Sequence, residues 1–225
     1  MRYDRLALID LIEWSSEKGL SREQTEIRLR SDSVTLRDKW NQGSKSPDTF
    51  YRDECLDEYL YDLTAWHASG TINSWFNVFV ECLRGRKPGR LLDYGAGIGT
   101  YSLIAAHLGW EVDACDINAV NLEYIKWRAN KHTLPLNAVT EPSGTYDGII
   151  CIDTIEHLAE PHLFPAYAHS LLTGYGFLVA TWTFHQSGGM HPMHHTEEQL
   201  ATFLPALRQH FPIVSNTWPV VLEKR

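Results

Sequence analysis

A chain of 225 residues with 44% hydrophobic content has enough apolar material for one large domain, or one domain with a small appendage. Its net charge of −8 argues against broad electrostatic binding of nucleic acid, which needs a basic surface, although a local basic groove is compatible with that sum. Four cysteines without C-x-x-C spacing (Cys55, Cys82, Cys115, Cys151) read as buried reduced thiols. With no leader pattern and no apolar run of membrane-spanning length, the expectation is a soluble cytoplasmic protein that needs no membrane.

Residues 3–18 carry Leu6, Leu8, Ile9, Leu11 and Ile12 in a helical pattern stopped by Gly19. Ser21 and Gln24 have capping-box spacing and predict a second helix to about residue 30, with a third over 34–40. Residues 41–47 are a linker by composition. A longer helix over 48–70, opened by Asp48, holds Tyr51, Tyr59, Tyr61 and Trp66, and another spans about 72–83. The pattern then changes. Strands are expected at 91–94, 110–118, 136–139, 146–153 and 177–182, with the last ones within 211–222. Helices are expected from Thr100, over 119–131 and over 196–207, and a glycine turn over 171–176. The apolar centre of 146–153 suits a parallel sheet covered on both faces.

The stretch 91–100, Leu-Leu-Asp-Tyr-Gly-Ala-Gly-Ile-Gly-Thr, organises this alternation. Glycines at 95, 97 and 99 allow positive φ and a close backbone approach, and the helix behind them offers unpaired N–H groups. The G-x-G-x-G spacing is one residue tighter than the dinucleotide fingerprint, and Asp93 would repel a pyrophosphate; it suits a ligand carrying an ammonium group. The stretch resembles the cofactor loop of class I S-adenosylmethionine-dependent methyltransferases. Three further stretches resemble that family in the right order: 110–118 ending in Asp116, 146–153, and the turn with the strand after it. Family members usually have Pro-Gly-Gly in that turn, where this chain has Gly174-Tyr175-Gly176.

The resemblance implies an α/β, Rossmann-like, doubly wound fold. It would have a mostly parallel seven-stranded sheet at 90–225, helices on both faces, and an all-helical extension at 1–89. It also implies S-adenosylmethionine as cofactor and S-adenosylhomocysteine as product, with a methyl group moved to an O, N or S nucleophile of a small-molecule acceptor. Asp93, Gly95, Ala96, Gly97 and Gly99 would form the cofactor loop. Asp116, seventeen positions beyond Gly99, lies near the offset of roughly 20 for an acid that accepts both ribose hydroxyls. Ile117 would pack on adenine, Glu141 is a candidate for its amino group, and Asp153 ends the fourth strand on the ligand side. Tyr51 and Tyr59 either pack against the sheet or contact the pocket from a helical lid.

Methyl transfer from a sulfonium requires alignment, and a base only where the nucleophile starts protonated. Candidate bases are His157, in Asp153-Thr154-Ile155-Glu156-His157, and His191, His194 or His195 of the histidine-rich stretch 185–195. A similar Glu-x-x-Glu-His holds a divalent metal, with a downstream histidine, in ubiquinone-biosynthesis O-methyltransferases and small-RNA 2′-O-methyltransferases. A metal-assisted O-methyltransferase acting on a phenol or an RNA 3′ ribose is therefore the rival reading; a metal is not the expectation, and nucleic acid is disfavoured. A non-catalytic partner that only binds the cofactor is the other alternative, against which stand the intact Asp93, glycines and Asp116. The acceptor and the oligomeric state are not legible.

Overall fold

The computed structural model describes residues 3–43, 46–184, 197–211 and 217–224. The first two helices are α1 (Tyr3–Glu17) and α2 (Arg22–Gln42). The capping box at Ser21 forms as expected: the Gln24 backbone donates to Ser21 Oγ at 3.2 Å, and the Ser21 backbone donates to Gln24 Oε1 at 2.7 Å. Two predicted helices here are one. Nothing between residues 30 and 34 breaks the backbone, and Arg28 pairs with Asp32 one turn on at 2.8 Å. The buried positions Thr25, Asp32, Leu36 and Trp40 keep one face turned inward.

The predicted helix over 48–70 is instead interrupted. A single turn, α3 (Pro47–Thr49), runs into a π-helical turn at Phe50–Glu54, Leu56 adopts φ 44°, and α4 (Glu58–Ala68) then begins. The cause lies across the fold. Asn118 donates its side-chain amide to the carbonyls of Tyr51 at 3.1 Å and Leu56 at 3.0 Å, pinning the break open. α5 (Asn73–Arg84) completes the helical region.

The sheet contains β1 (Arg90–Tyr94), β2 (Glu111–Cys115), β3 (Leu136–Val139), β4 (Tyr146–Cys151), β5 (Leu172–Ala180) and β6 (Val220–Glu223). Its order is β3-β2-β1-β4-β5-β6, with β6 antiparallel to β5 and every other pair parallel. Six strands lie among the described residues where seven were expected; residues 212–216 of the predicted final strands lie outside them. The predicted turn over 171–176 is a bulge within β5. Pairing passes from Tyr146↔Leu172 to Gly148↔Phe177, and Tyr175 is extruded, 97% exposed.

α6 (Thr100–His107), α7 (Ala119–His132), α8 (Phe164–Leu171) and α9 (Glu197–His210) supply the covering helices. Alternation along the strands divides the core. Leu92, Ile149 and Leu178 pack with Phe164 and Phe203 on one face; Leu91, Ile150 and Val179 pack with Phe79 and Ile104 on the other. Strand order reverses at the β1/β4 boundary, so the crevice for a ligand opens at the carboxyl ends of those strands. No helix among the described residues is long and apolar enough to cross a membrane.

Candidate functional site

A cavity of about 1050 Å³ opens at that crevice. Its floor is the loop after β1. The backbone amides of Gly95 and Ala96 both donate to the Cys115 carbonyl at 2.9 Å, which lays the loop against the end of β2. Gly95 (φ 74°) turns toward β4, where a Cβ would run into the Thr154 side chain; Gly97 (φ 54°) lies directly beneath Leu63 of α4. Gly97 N–H donates to Asp116 Oδ2 at 2.7 Å, tying the floor to the acid at the end of β2.

All ten predicted cofactor-binding residues except Gly99 line this cavity. The carboxylates are more engaged than their positions in the sequence suggested. Asp93, 3% exposed, accepts from Ser102 Oγ at 2.5 Å, and burial pushes its pKa up to about 7. Asp116 accepts from the backbone of Asn118 at 2.8 Å and the side chain of Asn121 at 3.3 Å, besides Gly97. A carboxylate has about four lone-pair positions and the protein fills three of Asp116's, so a ligand hydroxyl there would share the acid with the loop that it organises. Ile117 is 36% exposed, and Glu141 also reaches the wall.

On the opposite wall Asp153 sits at φ 46°, accepts from Thr181 Oγ1 at 3.0 Å, and returns its own N–H to the same oxygen at 2.8 Å. Glu156 is wholly buried and accepts from Thr183 N–H at 3.0 Å. Burial and the neighbouring Asp153 both raise its pKa well above the ordinary carboxylate value. His157 Nδ1 meets the Tyr51 hydroxyl at 2.8 Å, and the Tyr51 ring lies edge-on to both His157 and Tyr59. Two candidates from distant parts of the chain are thus one hydrogen-bonded pair. His191, His194 and His195 lie outside the described residues. Among the described residues no group of three His, Cys, Asp or Glu side chains is arranged to hold a metal.

Ser102, Asn118, His67 and Asp62 were missed by sequence reading. Asn118 had a signal, standing at a helix start two residues after Asp116; its Oδ1 accepts from Val120 and Asn121 N–H groups at 2.8 and 3.1 Å. His67 had none. Burial drives its pKa down to about 3, leaving a neutral ring on the cavity wall, 3.1 Å from Thr100 Oγ1.

Electrostatics give the site a pH signature. Burial raises Asp93 to about 7 and Asp62, Asp116 and Asp153 to about 6. Each binds its proton more tightly in the folded state, so its stabilising effect is full below about pH 4 and is lost as pH rises through the raised value. His67, depressed, works in the opposite direction between about pH 3 and 6.5, one group against these four and Glu156, which burial also raises. The ligand-free protein should therefore lose stability from pH 5 to 7, with Asp93 alone worth at most on the order of 4 kcal/mol over its whole shift. Thermal denaturation across that range tests this; a melting temperature that rises instead would show that the carboxyls are solvated.

The family described as Methyltransferase domain matches residues 68–216, more than half of the chain. A curated relative, the ubiquinone biosynthesis O-methyltransferase of Caulobacter sp. (strain K31), is 29% identical over 98 residues. That match spans 40% of this chain and only 39% of the relative's length. Among solved structures, magnesium protoporphyrin IX methyltransferase from Synechocystis PCC 6803 with bound S-adenosylhomocysteine superposes with a TM-score of 0.56 at 19% identity. The superposition covers 86% of this chain and all of that one. The PH0226 protein from Pyrococcus horikoshii OT3 gives 0.57 at 14% identity, covering 73% and 94%. The 1,6-didemethyltoxoflavin-N1-methyltransferase of Burkholderia thailandensis, with its acceptor and S-adenosylhomocysteine bound, gives 0.51 at 18%, covering 72% and 84%. At these identities the likeness is one of fold.

Proposed function

The chain belongs to this class I methyltransferase family, and from that premise we propose that it transfers a methyl group from S-adenosylmethionine to an O, N or S nucleophile of a small-molecule acceptor. One observation carries the reading: a glycine-floored cavity at the sheet's reversal point, with Asp116 bonded to that floor. At about 1050 Å³ the cavity stands at the top of the roughly 300–1,000 Å³ range of small-molecule pockets, which suits a cofactor and an acceptor together. The residues fit the cofactor. A Cβ at Gly95 or Gly97 would intrude on neighbouring side chains, and the carboxyls around the floor complement a cation. The names of the Synechocystis and Burkholderia relatives describe small-molecule methylation, which supports an acceptor of that kind.

Bound there, the cofactor supplies an electrophilic methyl group on a sulfonium. Asp116 and Ile117 would hold its ribose and adenine, and Asp93, steadied by Ser102, the positive methionine end. Asp153 faces the same space from the end of β4. Tyr51 and His157 stand on the remaining wall, where a proton leaving the acceptor must go; we assign His157 as base where the nucleophile starts protonated, with Tyr51 orienting its ring. Residues 1–89 act as a lid over the domain at 90–225, with Tyr59, Leu63 and Trp66 keeping water from the cofactor.

Calorimetric titration with S-adenosylmethionine and S-adenosylhomocysteine tests the premise, followed by a methyl-transfer screen of small acceptors. Asp116→Ala should weaken cofactor binding by about 1.5–3 kcal/mol, as loss of hydrogen bonds to a charged group does. Failure of folded wild-type protein to bind either compound would overturn the assignment; unchanged affinity in Asp116→Ala would place the ribose elsewhere.

A further inference from the structure

Asp62 is an acid in the cavity that no other described residue engages. It lies on α4, whose residues Tyr59, Asp62, Leu63 and Trp66 all reach the cavity. Their spacing of three, four and seven puts them on one helical face. That face lies over the cofactor loop: a Cβ built on Gly97 would come within 2.8 Å of Leu63 Cδ1. Four other carboxyls of the cavity have a protein donor, Ser102 for Asp93, Gly97 for Asp116, Thr181 for Asp153 and Thr183 for Glu156, while Asp48, Glu141 and Glu160 are exposed to solvent. Among the described residues Asp62 has no hydrogen-bond or ion-pair partner.

Among the described residues no cation acts on it, although Arg37 and Arg52 also line the cavity. From α2 the group acting on it is Asp32, a like charge, whose own partner is Arg28 at 2.8 Å. Arg28 is committed elsewhere, forking onto Asp57 at 2.6 and 2.9 Å and lying over the Tyr61 ring. From the π-helical turn and from α4 itself come the phenols Tyr51 and Tyr59, both of which feel its charge. A half-buried carboxylate without a partner costs folding free energy unless a cation meets it.

We propose that Asp62 is the counter-charge that the N-terminal helices supply to the positive methionine end of the cofactor. The proposal rests on the functional reading above and adds to it: α4 both closes the cavity and carries a binding group. A neutral isostere should then relieve the ligand-free protein and harm the complex.

The test is calorimetry and thermal denaturation of wild type and Asp62→Asn at pH 8, where the wild-type carboxylate is ionised, with Asp62→Ser as a second variant. We expect the variants to melt no lower than wild type without ligand, and to bind S-adenosylmethionine at least tenfold more weakly. Equal weakening toward S-adenosylhomocysteine assigns Asp62 to the α-ammonium, which both compounds carry. Weakening confined to S-adenosylmethionine assigns it to the sulfonium. Undiminished affinity for both compounds in a folded variant overturns the proposal while leaving the function standing. A wild-type protein that binds neither compound overturns both.

Discussion

Gly97→Val is expected to weaken S-adenosylmethionine binding by roughly a hundredfold or more, a loss of about 2.7 kcal/mol. Gly97 sits at φ 54°, where a non-glycine residue costs about 1–2 kcal/mol and a β-branched one is a genuine outlier. Its Cβ would also press on Leu63 at 2.8 Å, and its N–H would be pulled from Asp116, so the cavity floor, α4 and Asp116 would move together. The six-stranded sheet does not pass through this residue, and circular dichroism should show it retained. Calorimetry reads the affinity, with Gly97→Ala as the milder comparison. A valine variant that binds as tightly as wild type would mean that the cofactor does not lie on this loop.

Arg128→Met should give the largest loss of stability in the chain, about 3 kcal/mol, at the lower end of the 3–5 kcal/mol typical of a broken buried ion pair. Arg128 is 1% exposed and pairs through Nε with the wholly buried Asp10 of α1 at 2.8 Å. Burial would raise Asp10, but Arg128, Lys131 and His132 together hold its pKa below the usual value. Lys131 at 2.9 Å and His132 at 3.0 Å remain after the substitution, which is why the lower figure is expected. The same guanidinium donates to the Ile98 carbonyl at 2.7 Å, inside the glycine loop, so affinity should fall with stability. Denaturant unfolding with and without S-adenosylmethionine measures both. The double variant Asp10→Leu/Arg128→Met should recover most of the stability, because no unpaired charge is left buried. A single variant as stable as wild type would show that the pair contributes nothing.

The two substitutions mark where sequence reading succeeds and where it stops. Gly97 was legible because its constraint is local: three glycines after an apolar strand and before a helix describe one backbone path. The same holds for the Ser21 capping box and for Asp116 at a strand end. The interrupted helix at 50–57 was not legible, because what breaks it is Asn118, more than sixty residues away, taking the Tyr51 and Leu56 carbonyls. Nor could the sequence pair Tyr51 with His157, 106 positions apart.

By itself, then, the sequence determined the alternating α/β architecture and the path of the glycine loop, which follow from periodicity and glycine placement along single elements, and it carried the resemblance to the family. Only the tertiary structure decided that Asp93 and Asp116 are tied to Ser102 and the loop amides, that His67 is held neutral, and that Asp62 has no partner among the described residues. Hydrogen-bond satisfaction and desolvation belong to groups brought together from distant segments, and spacing along one chain carries no record of them.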